Sequence, residues 1–480
     1  MSKPNGTIPY KVMKQNADTL TPIGIFQALK GNKKFLLESS YRHEQKGRYS
    51  FIGSNPYGEI ISKGQSTTII DYDKQTKKVV HGCPLDVLKQ YVPNIKVDLP
   101  FPFYGGAVGY IGYDVAVTKH LRNIRNLPDD LNMPHMHVLC YQSVIVFDHQ
   151  EEMVYVVALN RNNDPESVLD ERIKEYTQSV TTSIHEPITK DVTVQFKPEM
   201  NQHQFMKKVI TAQQRMQTEE TQQVVLSQRM KAAFQEHPFT FYRKLRKVNP
   251  SPYMFYIDFE KYVVLGASPE SLLRVQGNHV ELNPIAGTHP RGTTDSKDEQ
   301  NIQKLLTDQK EIAEHDMLVE LSKSDLQHVC KSKSITVPVH RQVEKYEHVM
   351  HIVSEVHGTL ATDKTSLDAL RICLPAGTVS GYPKLRAMEM IQQLEEKTRG
   401  LYGGGIGYLN FNGDLNMALA IRSLIIKDGK AFLQTGAGIV NDSIPEKEYQ
   451  ETLHKAKSLM NVSAYKLASD HLFRKEPITR

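Results

Sequence analysis

Glu311 and Glu314 in one segment, and Glu448 and Glu451 in another, repeat a single spacing of two carboxylates three residues apart. On a helix such a pair shares one face. Two faces of this kind opposed across a cleft would hold a hard cation such as magnesium, which takes oxygen ligands, keeps waters and commonly shares its shell with an anionic ligand. Either pair alone reads equally well as a solvated helix face, and spacing does not separate the two readings. Around the second pair lie Pro375-Ala376-Gly377-Thr378-Val379-Ser380-Gly381, Tyr402-Gly403-Gly404-Gly405-Ile406-Gly407-Tyr408, Arg422 and Gly436-Ala437-Gly438. Glycines let backbone N–H groups approach anionic oxygens, and an arginine takes a carboxylate bidentately. Together these parts suit a small dianion held with magnesium.

These residues need elements to position them. The pattern predicts one long amphipathic helix from about Asp295 to Leu321, a second from Leu385 to Glu395, and a helical stretch from Asn201 that turns to strand near Gln222-Gln223-Val224-Val225-Leu226. Ser443-Ile444-Pro445-Glu446 reads as a capping box opening a C-terminal helix. On that helix Glu448, Glu451 and Lys455 form one stripe, and Tyr449, Leu453, Ala456 and Met460 form the apolar one beside it. Residues 1–180 carry short β-branched and aromatic runs, Phe35-Leu36-Leu37, Arg48–Gly53, Ser143–Phe147 and Val154–Ala158, which predict an antiparallel sheet. Residues 181–200 are polar with two prolines and suit a connector to a unit spanning 201–470.

Composition sets outer bounds. The 480 residues carry 59 basic and 54 acidic side chains without a sustained block, which argues against nucleic acid as a partner. Cys83, Cys140, Cys330 and Cys373 lie far apart and make neither a disulfide framework nor a thiolate zinc site. The start has no apolar leader and no stretch is long enough for a bilayer, so a cytoplasmic protein without a membrane role is expected. Tryptophan is absent beside 22 tyrosines and 16 phenylalanines.

Leu374 to Arg386, with Val349–Ser354 before it and Gly436–Val440 after, resembles the chorismate-utilising enzymes, and the pattern of anthranilate synthase component I is nearest. The likeness extends to Leu36–Ser39, Val225–Arg229, Asn249–Met254, Ala267–Ser271 and Pro284–Thr288, nearly the whole chain. It implies a large α/β fold of the α+β type: two extended antiparallel sheets with outer helices and an N-terminal regulatory portion. In that pattern Glu314 and Glu451 hold Mg2+ directly and Glu311 and Glu448 support it. Glu270 matches the general acid that protonates a departing ring hydroxyl. Tyr402 and Arg422, with the backbone at Gly436 and Gly438, match a clamp on the enolpyruvyl carboxylate, and Thr288, Thr378 and Lys455 match groups around the ring. His351, by itself more readily a core histidine, matches the residue linked to pyruvate loss. The resemblance also implies a tryptophan-binding element at residues 1–180, with Glu38 and Ser39 on the amino group and Pro252, Tyr253, Met254, Ile406 and Tyr408 around the indole. An enzyme that opens tryptophan synthesis is translated more readily under starvation if it needs no tryptophan itself.

Gln223 stands where relatives that add water carry a lysine base, and ammonia needs no such base. Ala286, where many aminodeoxychorismate synthases carry lysine, points to anthranilate. Nothing resembles a glutaminase, so a separate glutamine amidotransferase subunit is implied as the ammonia source. Three departures stand out: His289 for arginine, Ser322–His328 for a Gly-Arg-Asn-Asp-Leu-Gly-Arg run, and Tyr382 for alanine. Two alternatives stay open, an aminodeoxychorismate synthase large subunit and a non-catalytic subunit that binds chorismate or tryptophan.

Overall fold

The computed structural model describes residues 8–39, 47–121, 124–182, 194–218, 221–292, 294–345, 349–460 and 462, and of Thr288 the backbone only. Much of the expected connector, 183–193, lies outside the described residues. Two antiparallel sheets of twelve strands each form the frame. The short runs read from the sequence become strands Phe35–Glu38, Tyr49–Gly53, Ser143–Asp148 and Met153–Leu159. Their β-branched and aromatic residues bury on both faces or alternate with half-buried ones.

Each sheet is built from both halves of the chain. In the first, Phe35–Glu38 pairs with Tyr253–Asp258, Leu37 facing Phe255 and Glu38 facing Met254. In the second, Gly106–Ile111 pairs with Gly405–Asn410, Tyr110 facing Ile406. Aromatic side chains knit the space between the sheets. The Tyr408 ring lies 4.7 Å from Phe103 and 5.7 Å from Phe51, centroid to centroid, and such tilted and edge contacts add to the area they bury.

The helix expected over Asp295–Leu321 is two helices, Asp295–Thr307 and Gln309–Gln327. Asp308 breaks it: its carboxylate accepts from the N–H groups of Lys310, at 2.9 Å, and Glu311, at 3.2 Å, capping the second helix. The segment from Asn201 does carry a capping box, with Gln204 as its partner, and runs Gln202–Met216 before strand Gln223–Ala233. The box expected at Ser443 does not form. Pro445, lacking an N–H, starts the helix Pro445–Met460 one residue later. Ser443 Oγ instead accepts from Val440 N–H and bonds to Glu448. The buried stripe of that helix is Tyr449, Thr452, Ala456 and Leu459, rotated from the expected one because Thr452 bonds inward to Gln228 and to Thr435. No helix among the described residues is long and apolar enough to cross a membrane.

Candidate active site

Glu270 sits where the chain passes from the first sheet, in strand Val263–Ser268, to the second, in strand Ser271–Gln276. Leu419 N–H donates to its carbonyl at 2.9 Å, which fixes the turn. Its carboxyl accepts from Thr378 Oγ1 at 2.7 Å. Burial pushes this carboxyl up to about 7, and the Thr378 hydrogen bond and the Lys455 charge pull it only part of the way back. A carboxyl of that acidity both keeps and releases a proton near neutrality.

Arg422 occupies the return crossing, between strand Leu415–Leu419 of the second sheet and strand Ser423–Lys427 of the first, at φ 50°. Among the described residues its guanidinium makes no hydrogen bond or ion pair; Glu451 acts on it only at longer range, and burial opposes its charge. Half-buried and unspent, it is a ready partner for a carboxylate. Tyr402 lies against Gly436: a Cβ there would come within 2.6 Å of the Tyr402 oxygen. Gly436 therefore leaves the phenol its place. Lys455 Nζ reaches the Gly436 carbonyl at 3.1 Å and Glu451 Oε1 at 3.0 Å.

His351 is in strand Val349–Thr359, and its Nδ1 lies 3.0 Å from the Gly287 carbonyl. A carbonyl only accepts, so Nδ1 carries the proton and Nε2 is the basic nitrogen. Burial lowers the ring's affinity for a second proton and keeps it neutral. Gly287, at φ 74°, sits with its Cα side toward Glu311, whose Oε2 would be 3.3 Å from a Cβ there. Strand Ile285–Pro290 also carries Ala286 and Thr288.

Glu311 and Glu314 lie on helix Gln309–Gln327, and Glu448 and Glu451 on helix Pro445–Met460. Glu314 accepts from Gln223 Nε2 at 3.0 Å, and Gln223 in turn would touch a Cβ on Gly438. Glu448 is pushed up by burial and feels Glu451 beside it and Lys310 from the facing helix. Among the described residues, however, no three of these carboxylates have oxygens within 4.8 Å of one another. Each of Glu314, Glu448 and Glu451 holds a protein partner instead.

The sequence family described as chorismate binding enzyme matches residues 33–461. Anthranilate synthase component 1 of Lactococcus lactis is 41% identical over 459 residues, 94% of this chain and 99% of that protein. Its counterpart in Acetivibrio thermocellus is 42% identical, over 96% of each chain. The crystal structure of anthranilate synthase component I from Streptococcus pneumoniae superposes with a TM-score of 0.79 at 36% identity, covering 96% of this chain and all of that one. The chain belongs to the anthranilate synthase component 1 branch of the chorismate-binding enzymes.

The residues matched to the family's inhibitor element lie on or next to strands of both sheets. Glu38 is buried and accepts from Tyr242 O–H at 2.7 Å and Arg246 Nη2 at 2.9 Å. Ser39 Oγ is buried without a hydrogen-bond partner among the described residues. Met254 is the cross-strand neighbour of Glu38. Tyr253 is near enough to act on the Tyr408 phenol, and Ile406 precedes Tyr408 on one strand. Pro252 leads into the Tyr253 strand.

Several supporting residues went unread in the sequence. Arg399 is buried, pairs with Glu395 at 2.7 Å, and donates to the carbonyls of Val379 and Val225 at 2.6 and 2.7 Å. Its guanidinium lies 5.5 Å from the Tyr402 ring centre, so it backs both Tyr402 and the Thr378 helix. Glu395 and Arg399 both lie past the end of helix Lys384–Leu394, and their four-residue spacing was the available signal. Among the departures, Tyr382 pairs with Gln223 across the strands and His289 faces Met350. In the altered 322–328 run Asp325 still binds Lys384 at 2.6 Å and Leu326 is in the core, so that run does structural work.

Proposed function

We propose that this chain is the component of an anthranilate synthase that converts chorismate and ammonia to anthranilate and pyruvate, opening tryptophan biosynthesis. The observation that supports this most is the pairing of a carboxyl titrating near 7, Glu270, with a half-buried, unspent guanidinium, Arg422, at two crossings between the sheets. Arg422 and Tyr402, with the backbone at Gly438, take the enolpyruvyl carboxylate. Glu270, held by Thr378, gives its proton to the ring hydroxyl as ammonia bonds to the ring and water leaves. Thr288 and Lys455 hold the ring carboxylate's side of the cleft. His351 Nε2 then takes the ring hydrogen lost in aromatisation, as the C–O bond to the enolpyruvyl group breaks. Gln223, with no basic nitrogen, favours ammonia over activated water.

Glu314 and Glu451, supported by Glu311 and Glu448, would hold Mg2+. The donor set fits a hard ion, all oxygen and split between two facing helices, with Gln223 and Lys455 released as it enters. Bound there, the ion supplies positive charge for the ring carboxylate. Ammonia comes from a glutamine amidotransferase subunit, since the chain has no glutaminase nucleophile of its own. Tryptophan binds between Glu38, Ser39, Pro252, Tyr253, Met254, Ile406 and Tyr408 and inhibits. Residues 1–180 carry the first part of that site and 201–470 the catalytic one. Because Tyr402 and Tyr408 share one glycine-rich run, the two sites are mechanically joined.

The test is the purified chain with chorismate, magnesium and an ammonium salt at mildly alkaline pH, with and without tryptophan. Anthranilate fluorescence suppressed by tryptophan is expected. Accumulation of aminodeoxychorismate would overturn the product assignment, and no turnover would favour a binding subunit without activity.

A further inference from the structure

His279 and Glu281 are two residues apart on strand His279–Leu282, so their side chains leave the same face of the second sheet. Glu281 stands directly opposite His357 on the neighbouring strand Val349–Thr359. A ligand atom from each of the three lies within 4.8 Å of the other two. The imidazole rings meet edge to face, 4.7 Å between centres at 82°. Glu355, two residues before His357 and on its face, brings Oε2 to 3.3 Å from His357 Nε2. Two imidazoles and a carboxylate, with a second carboxylate alongside, differ from the all-oxygen set of the four glutamates. Imidazole selects zinc-class ions over magnesium, and two histidines with one glutamate can hold zinc with a coordination position left open.

We propose that His279, Glu281 and His357 form a binding site for a transition-metal ion of the zinc class, separate from the glutamates of the active site. The group that opposes a cation there is Arg274, whose Nη1 is 3.6 Å from Glu281 Oε2. Its side chain is 46% exposed and has solvent to move into. The ion would fasten two adjacent strands in register. One of them carries His351 six residues earlier, about 20 Å along the strand.

The experiment strips the full chain of metal with a chelator and titrates it with Co2+ in excess magnesium, following the visible bands of low-symmetry cobalt, then repeats with Zn2+ against a chromogenic chelator. One equivalent is expected, with the bands lost in His279→Ala and His357→Ala. Glu281→Gln should weaken binding roughly 10- to 100-fold, and Glu314→Gln with Glu451→Gln should leave it intact. Because His279 is exposed, His279→Ala tests the site even if His357→Ala fails to fold. Absence of the bands in the parent chain, their survival in His279→Ala, or their loss in the glutamate double variant would each overturn the proposal.

Discussion

Glu270 is the residue whose chemistry depends most on its surroundings. Its carboxyl rises from 4.5 to about 7 mainly through burial. Between those values the folded chain holds a proton that the unfolded chain has lost, so this group makes stability fall as pH rises, with the full loss in place above about 7. Glu270→Gln should end anthranilate formation while sparing chorismate binding. It should also melt later than the parent at pH 8, by on the order of 1–3 kcal/mol, and lose that advantage below pH 4.5; a turnover-competent variant would refute the acid assignment. At a fixed concentration of free ammonia, turnover in the parent should decline above about pH 7 as the acid ionises. Ser39→Ala should raise the tryptophan concentration needed for inhibition about tenfold, the worth of one hydrogen bond, with uninhibited turnover unchanged. Glu270 and Arg422 were legible because motif and chemistry agreed at each. Arg399 was not, since a buried guanidinium that braces a tyrosine from behind leaves only a pair spacing in the sequence, shared with many surface helices.

At the scale of elements, the strands read correctly because their β-branched runs end in turn residues, and the helices read correctly in kind but not in extent. Asp308 interrupts an amphipathic pattern that otherwise continues, and only its hydrogen bonds to Lys310 and Glu311 show that a new helix begins there. That cap sets the rotation of the turn carrying Glu311 and Glu314. Asp308→Ala should cost about 1 kcal/mol of stability in denaturant unfolding and raise the magnesium concentration needed for half-maximal turnover. Gly436→Ala places a methyl 2.6 Å from the Tyr402 oxygen and 3.0 Å from the Leu226 carbonyl. The phenol must move, and kcat/KM for chorismate should fall roughly 10- to 100-fold, as expected for a lost hydrogen bond to a charged group. An unchanged kcat/KM would remove Tyr402 from the clamp.

On the scale of the whole molecule, two large antiparallel sheets were legible from the resemblance, but their shared construction was not, because strand neighbours more than 200 residues apart leave no local pattern. Removing residues before 201 should expose the edges Tyr253–Asp258 and Gly405–Asn410 and yield insoluble chain; a soluble, cooperatively melting fragment would contradict this. The same pairing has a consequence during synthesis. Strand Gly106–Ile111 leaves the ribosome about 300 residues before its partner Gly405–Asn410, an interval of roughly 15 to 60 seconds at ordinary elongation rates. Throughout it, two half-sheets stand with open edges, and neither sheet can be completed. Translation speed and chaperone occupancy therefore bear on the yield of this chain more than on that of a protein whose domains close one after another.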